Sequence, residues 1–397
     1  MAINKTDKVL NVPTLRFPGF TDKWETSRLS SYLIENKERN RNNEFGKDKV
    51  LSVSGEEGIV NQIEHLGRSF AGKSVSDYHV VRHGNIVYTK SPLKEYPYGI
   101  VKYNRGVDGI VSTLYAVYES KDSSYGPFVE YYFALATRVN RYFKPIVRIG
   151  AKHDMKIGNE EVLQNTVIFP NIEEQKKIAD FLSLLDERIA LQSKLIEDLK
   201  KLKSAIVESL YGLLATKVRL GTIIKQVSIR NRNGSEREIM SVSNKYGFIA
   251  QSEQFEERIV ASEDTSNYKV IAPEIFAYNP ARINVGSIAQ YKGDRPCIVS
   301  PMYICFECGK QVVGGYLEHF FSTKYFHKEM EKRLEGSVRL CLSFEALCNI
   351  SISLPPIEQQ LKYAQVVGRI SDQISIESDI LQVYQKQKSY LLSAMFI

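Results

Sequence analysis

The chain has 397 residues, of which 43% are hydrophobic and 25% are charged, a composition that favours folded domains over disorder. It contains no apolar run of about 18 residues, and its first residues lack the apolar core of a signal peptide, so we expect a cytoplasmic protein without membrane association. The net charge of +7 permits a polyanionic partner but does not require one.

The first part of the chain is predicted to be a mixed α/β domain. Short β-branched and aromatic runs, bounded by Gly, Pro, Asn or Ser, predict strands, such as "VLSVS" at 50–54, "SDYHVV" at 76–81 and "GIVSTLYAVY" at 109–118. The amphipathic stretch "GPFVEYYFAL" predicts a helix. We place the boundary of this domain at residue 169.

A long helix is predicted next, because no proline or glycine interrupts residues 172–211 and apolar residues recur at spacings of three, four and seven. It begins at "FPNIEEQ", residues 169–175. The opening "LPPIEQQ", residues 354–360, repeats this phrase 185 residues later and precedes a second helix with the same spacing. Such spacing is typical of a coiled-coil seam, so we expect two helices of about 60 Å that pair with each other.

Two features of these helices carry expectations of their own. The Glu and Gln of each opening are expected to cap the helix, with partner docking as the alternative. Gln192 and its repeat equivalent Glu377 both fall in the seam, where a polar layer would fix the register. A position at the edge of the seam is the competing interpretation of this pair.

The segment between the two helices repeats the first domain. "IMSVS" at 239–243 is similar to "VLSVS", "SNYKVI" at 266–271 to "SDYHVV", and "CIVSPMYICF" at 297–306 to "GIVSTLYAVY". The predicted fold is therefore α+β with an internal repeat. Its parts are two similar mixed domains at 1–169 and 216–354, and two helical spacers at 170–215 and 355–397.

Motifs for catalysis or cofactor binding are missing from the sequence, which has no phosphate-binding loop, no glycine-rich cofactor loop and no nucleophile elbow. "YNPARI" at 278–283 lacks the second proline and the tyrosine of an amino-methyltransferase motif, and "EDLKK" at 197–201 falls on the solvated face of a helix. Cys305 and Cys308 form a single CxxC inside a predicted strand, which favours buried strand residues over a metal site. We expect no catalytic residue, metal or cofactor in this chain.

Over essentially its whole length, the chain resembles the specificity subunits of type I restriction–modification systems. The resemblance rests on "RFPGFTDKWETSRLSS" at the front, the two Pro-x-Ile-Glu-x-Gln helix openings and the "NPARINVGSI" turn. It implies two target-recognition domains and two helical spacers that pack antiparallel. It also implies a non-catalytic subunit that reads the two halves of a split, asymmetric site in double-stranded DNA. The second helix departs from the family pattern, with "AQVVGRIS" in place of "ADFLSLLD".

The same resemblance implies the partners. Two modification subunits, which carry S-adenosylmethionine and methylate adenine, would dock on the helices, and restriction subunits would join them for ATP- and Mg-dependent cleavage. The competing hypothesis is an adaptor that binds only proteins. It explains the helices and the 23 tyrosines equally well, but it explains the basic loops less well.

DNA contacts are expected in loops at equivalent places of the two domains, because phosphates are bound by Lys, Arg and backbone N–H groups, and bases by Arg, Asn, Gln or acids. The candidates in the first domain are Lys37, Arg39 and Arg41 in a flexible basic loop, and Lys90, Lys94, Tyr96, Tyr98 and Lys102 in the loop "TKSPLKEYPYGIVKY". The candidates in the second domain are Arg230, Arg232, Arg237, Lys245, Tyr246, Asn279, Arg282 and Asn284.

Overall fold

The structure is a computed structural model that describes residues 11–93, 96–149, 155–212, 217–244, 246–251, 264–337 and 339–397. The chain forms two compact units. The first comprises the chain up to Leu191 together with Leu381–Ile397, and the second comprises Gln192–Ile380. Within the described ranges, no helix has both the length and the apolar character needed to cross a bilayer.

The first unit is built on antiparallel strands. They are β1 (Glu25–Arg28), β2 (Leu33–Glu35), β3 (Leu51–Ser54), β4 (Gly58–Asn61), β5 (His79–Val81), β6 (Ile86–Thr89), β7 (Val101–Tyr103), β8 (Gly109–Val111), β9 (Tyr115–Ser120), β10 (Arg148–Ile149), β11 (Met155–Lys156) and β12 (Thr166–Phe169). A four-stranded sheet has the order β2-β9-β6-β7, and the other strands pair as β1-β12, β3-β4, β5-β8 and β10-β11. Short helices span Gln62–Leu66, Gly126–Tyr132 and Ala136–Phe143.

The core of the first unit lies between its four-stranded sheet and its helices. All four residues of β6 are buried, since the strand has neighbours on both sides and helices pack over it. Tyr88 on β6 stacks on Phe143 with ring centroids 4.4 Å apart. Trp24, the one tryptophan of the chain, is 2% exposed and belongs to the same core.

The second unit repeats this topology. Its strands are β13 (Lys217–Arg219), β14 (Ile224–Val227), β15 (Met240–Ser243), β16 (Gly247–Ala250), β17 (Lys269–Ile271), β18 (Phe276–Tyr278), β19 (Ile288–Gln290), β20 (Cys297–Val299), β21 (Ile304–Cys308) and β22 (Ser351–Ser353). The sheet order β14-β21-β18-β19 matches β2-β9-β6-β7, and the pairs β13-β22, β15-β16 and β17-β20 match β1-β12, β3-β4 and β5-β8. Helices span Gly314–Phe320, Lys324–Glu331 and Phe344–Cys348.

Two long helices complete the fold: the central helix, Ile172–Gly212, and the C-terminal helix, Ile357–Ala394. In the first unit, Arg188 lies over the ring of Tyr384 at 4.5 Å, while Asp186 pairs with Lys388. Because the positions rise on one helix as they fall on the other, the helices run antiparallel there. The predicted fold, two similar mixed domains each followed by a long helix, is confirmed.

The polar pair expected in the seam is formed. In the second unit, the side-chain amide of Gln192 donates to the carboxylate of Glu377 and, at 3.0 Å, to its backbone oxygen. Gln373 also donates to this carboxylate, at 2.6 Å. Gln192 and Glu377 are equivalent positions of the repeat, 185 residues apart, and both are half-buried, which places them between the helices and not beyond the edge of the seam.

Candidate nucleic-acid interface

A loop with the sequence RNRN follows the first strand of the four-stranded sheet in each domain. We call residues 39–45 and 230–236 the arginine loops. In the first, Asn40 is 2% exposed, and its amide donates to the carbonyl of Phe45 at 2.9 Å while its oxygen accepts from the Phe45 N–H at 3.0 Å. Asn43 turns the chain at a φ of 53°, which asparagine tolerates. Hydrogen bonds hold this loop, which differs from the flexible segment expected from its composition.

The second arginine loop makes the same contacts. Asn231 is 0% exposed, donates to the carbonyl of Glu236 at 2.8 Å and accepts from the Glu236 N–H at 3.2 Å. Gly234 makes the left-handed turn, at a φ of 61°. The backbone N–H of Asn231 donates to Tyr268, as that of Asn40 donates to Tyr78, both at 3.0 Å. The two loops therefore share one conformation.

The first arginine of each loop fastens the loop to the neighbouring strand. Arg39 donates to the backbone oxygen of Asp77 at 2.9 Å, and Arg230 donates to that of Asn267 at 3.0 Å. Each arginine also forms an isolated antiparallel bridge, Arg39 with the first residue of β5 and Arg230 with the first residue of β17. These two arginines position the loop from its edge.

The other basic candidates nearby are accessible. Arg41 and Arg232 are exposed and form no hydrogen bond or ion pair with any residue that the structure describes, and Arg237 is also exposed. Lys37 pairs with Glu160 at 2.7 Å, and this hydrogen bond raises the pKa of Lys37. Since both side chains are 70% exposed, the pair holds Lys37 weakly.

The connection between β6 and β7 is tied to the domain more closely than the sequence suggested. Lys90 is half-buried and donates to Oδ1 of Asn159 at 2.7 Å, and burial lowers the pKa of its amine. The hydroxyl of Tyr96 donates to the carbonyl of Ala134 at 3.1 Å, and both Tyr96 and Tyr98 pack against the core. These side chains present only part of their surface to a ligand.

Lys102 lies on β7 and not in the loop where the sequence placed it. Its Nζ is 3.5 Å from Glu130, a carboxylate that also pairs with Arg105. Glu130 is 8% exposed, so two cations compensate one buried charge. Lys94 lies outside the described residues.

The second domain exposes more of its candidates. The turn between β18 and β19 carries Arg282 and Asn284, both exposed, whereas the half-buried Asn279 accepts a hydrogen bond from the N–H of Ala281 at 3.1 Å and shapes the turn. Tyr246, between β15 and β16, is 65% exposed. Lys245 lies outside the described residues.

The glutamine of each helix opening is fully buried and has a different role from the expected cap. Gln175 donates to the carbonyls of Pro170 at 2.9 Å and Ser123 at 3.0 Å, and it accepts from the N–H of Tyr125 at 3.0 Å. It therefore fastens the start of the central helix to the loop before Gly126–Tyr132. The helix is capped instead by Asn171, which accepts from the N–H of Glu174 at 2.9 Å.

Gln360 makes the same three bonds in the second unit. It donates to Pro355 at 2.8 Å and Gln311 at 3.0 Å, and it accepts from the N–H of Val313 at 2.8 Å. Both glutamines are 0% exposed. The repeated Pro-x-Ile-Glu-x-Gln motif thus forms the same set of buried hydrogen bonds in both units. Because Gln175 and Gln360 are fully buried, they cannot contact a partner.

The cysteines of the CxxC lie on β21, as predicted. Burial raises the pKa of Cys305 to about 11, so its thiol stays protonated at neutral pH. Across the part of the chain that the structure describes, no group of three or more His, Cys, Asp or Glu side chains could hold a metal ion.

Asn40 and Asn231 are the residues that the sequence analysis missed, although they set the conformation of the arginine loops. The signal was present in the sequence, because the tetrapeptide RNRN occurs at matching places in both domains. The charge of the tetrapeptide points only to its two arginines. Its repetition in both domains also points to the asparagine between them, which positions the loop.

Comparison with known proteins finds similarity to one class of protein. Residues 21–201 match the family described as the type I restriction modification DNA specificity domain. The chain is 22% identical over 289 residues to the putative type I restriction enzyme MjaX specificity subunit of Methanocaldococcus jannaschii. This alignment covers 68% of this chain and 67% of that protein.

Solved structures share the fold. The S subunit of the type I restriction–modification system from M. genitalium aligns with a TM-score of 0.61 at 15% identity, over 97% of this chain and 99% of that one. A chain from a structure of complex assembly and conformational transition of the type I R-M system aligns with a TM-score of 0.52 at 15% identity, over 96% and 98%. Residues 21–201 thus match the specificity-domain family that the resemblance indicated, and the fold of the chain is that of these solved structures.

Proposed function

We propose that the chain is the DNA-reading subunit of a type I restriction–modification complex in the cytoplasm. Each mixed domain contacts one half of a split, asymmetric site in double-stranded DNA. Two modification subunits dock on the long helices, and restriction subunits join the assembly. S-adenosylmethionine, ATP and Mg are bound by those partners and not by this chain.

One observation supports this function above the others: two domains of one topology present exposed cations at matching positions. A protein that reads two different half-sites needs two domains of similar fold whose DNA-facing side chains differ. The arginine loops are common to both domains, whereas the β6–β7 and β18–β19 connections differ in sequence and in exposure. Arg41, Arg232, Arg237 and Arg282 are the candidates best placed to meet DNA, because their side chains are exposed and cationic.

The surface of the long helices supports the docking of partners. On the C-terminal helix, Ile376, Val383 and Tyr390 recur every seven residues and are 52%, 61% and 64% exposed. On the central helix, Leu184 and Leu191 are also seven residues apart and are 64% and 69% exposed. Exposed apolar side chains at heptad spacing suit the packing of another helix against each of these two.

The function is tested by titrating the chain with duplex DNA, alone and together with the modification subunit of the same system, at two salt concentrations. We expect selective binding by the complex that weakens as salt rises, since cations that contact phosphates release counterions. Arg282→Ala should weaken this binding more than Lys200→Ala, which removes an exposed charge from the central helix. Assembly with the modification subunit but no DNA binding at either salt concentration would instead favour the adaptor.

A further inference from the structure

The two arginine loops are more alike than the domains that carry them. They share four consecutive residues, at 39–42 and 230–233, and the same set of hydrogen bonds. The strands just before them, "LIE" in β2 and "IKQV" in β14, have little in common. The shared sequence of the two loops therefore points to a role that both domains need and that is specific to neither.

The folding of the loop explains why two of the shared residues, the buried asparagine and the first arginine, are the same in both domains. The buried asparagine and the first arginine bind backbone groups of the loop and of the neighbouring strand in both domains. The second arginine, Arg41 or Arg232, binds no residue that the structure describes and is exposed. The fold of the loop therefore does not depend on a guanidinium at this position.

The charges around these arginines leave them available to an anion from outside. In the first domain, Arg82 binds both Glu38, which precedes the loop, and Glu44, which lies within it, at 2.7 Å and 2.8 Å. The hydrogen bond from Arg82 lowers the pKa of Glu44. In the second domain, the corresponding positions are Ile229 and Ser235, which carry no charge. Glu236, the acidic residue of this loop, is half-buried and forms no ion pair with Arg232 among the described residues.

We infer that Arg41 and Arg232 are equivalent phosphate-binding residues, one for each half of the DNA site, and that neither reads a base. This inference rests on the proposed function. Two domains that read different half-sites share no base sequence, but they share the phosphodiester backbone. A guanidinium binds a phosphate through two parallel hydrogen bonds, and the fixed loop carries it at the same backbone position in each domain.

The test uses the complex of the full chain with its modification subunits. The probes are a pool of random-sequence duplexes and the duplexes that the wild-type complex enriches from that pool. Arg41→Gln and Arg232→Gln should each weaken binding to both probes by a similar factor and reduce the slope of log affinity against log salt by about one unit. The double variant should reduce the slope by about two units, and both single variants should enrich the same sequences as the wild type.

The controls keep the outcomes apart. Arg41→Lys and Arg232→Lys should retain most of the salt slope, since the charge remains, and Lys200→Ala should behave as the wild type. An unchanged slope in both Gln variants would overturn the inference, and so would a change in the enriched sequences, because that would mean base reading. If the wild-type complex enriches no sequence at all, the proposed function fails, whatever the variants do.

Discussion

The openings of the two long helices share a buried glutamine and differ in the residue before it. Both are fastened by a buried glutamine, Gln175 or Gln360, with the same three hydrogen bonds. The residue before it is Glu174 in the first opening, which is 0% exposed and bound by Arg16 at 2.7 Å. In the second opening it is Gln359, which is exposed. Both openings therefore share the glutamine hydrogen bonds that join the domain to the helix. Only the first opening adds an ion pair, between Arg16 and Glu174.

The largest difference between the openings should come from this ion pair. Glu174→Gln leaves the charge of Arg16 without its partner, and the side chain of Arg16 is only 12% exposed. We expect the first unit to lose about 3 kcal/mol of unfolding free energy. Trp24 lies in the core of the first unit, so its fluorescence during urea denaturation reports the loss.

The matched control for this prediction is Gln359→Ala at the equivalent position of the second opening. It should change stability by no more than about 0.5 kcal/mol, because its side chain is exposed. If Glu174→Gln and Gln359→Ala destabilise equally, the ion pair is not what distinguishes the two openings.

The next effect tests what the openings share. Gln175→Ala and Gln360→Ala each leave two buried carbonyls and one N–H without their partner, which should cost about 2 kcal/mol in either unit. Hydrogen exchange at residues 123–125 and 311–313 measures the two losses separately. A large loss on one side alone would contradict the equivalence of the two joints.

A smaller difference depends on pH and belongs to the first domain. His79 at the start of β5 is 1% exposed, and burial, with Arg39 and Lys90 nearby, lowers its pKa to about 4. The unfolded chain binds this proton at about pH 6.5, so the first unit should lose stability as the pH falls from about 6.5 towards 4. At about pH 5.5 the loss should be about 1 kcal/mol by Trp24 fluorescence, and His79→Gln should abolish it. The same pH dependence in His79→Gln would assign the effect to other groups.

An effect of similar size lies in the seam, where the two helices meet at equivalent positions. Gln192→Ala and Glu377→Ala should each cost about 1 kcal/mol, because each removes one side of a half-buried hydrogen bond. The double variant should cost less than the sum, since both act on one interaction. Additive losses in thermal unfolding would show that the two side chains act independently.

The sequence predicted the architecture because the repeat left local patterns in both halves. Strand runs, the helix openings and the heptad spacing are all periodic, and the structure places β3, β9, β15 and β21 in the runs that predicted them. The contact between Gln192 and Glu377 was also predictable, since paired helices bring equivalent positions of a repeat together.

The sequence was less informative where a distant partner decides the role of a side chain. Lys90 is a predicted DNA contact in a loop, but its amine donates to Asn159, which lies in another part of the chain. Glu174 belongs to an opening whose Glu and Gln are predicted to cap the helix, but its carboxylate pairs with Arg16, 158 residues earlier in the chain. Lys102 was placed in a loop, because the pattern did not show that β7 pairs with β6. No local pattern records these long-range contacts.

The central claim of the proposed function is that each mixed domain of this chain reads its own half of one DNA site. It is tested most directly by selecting random-sequence duplexes with the reconstituted complex and sequencing the bound fraction. We predict two different defined stretches separated by a gap of fixed length and unspecified sequence. A single continuous stretch, or no enrichment by a complex that assembles normally, would contradict the claim.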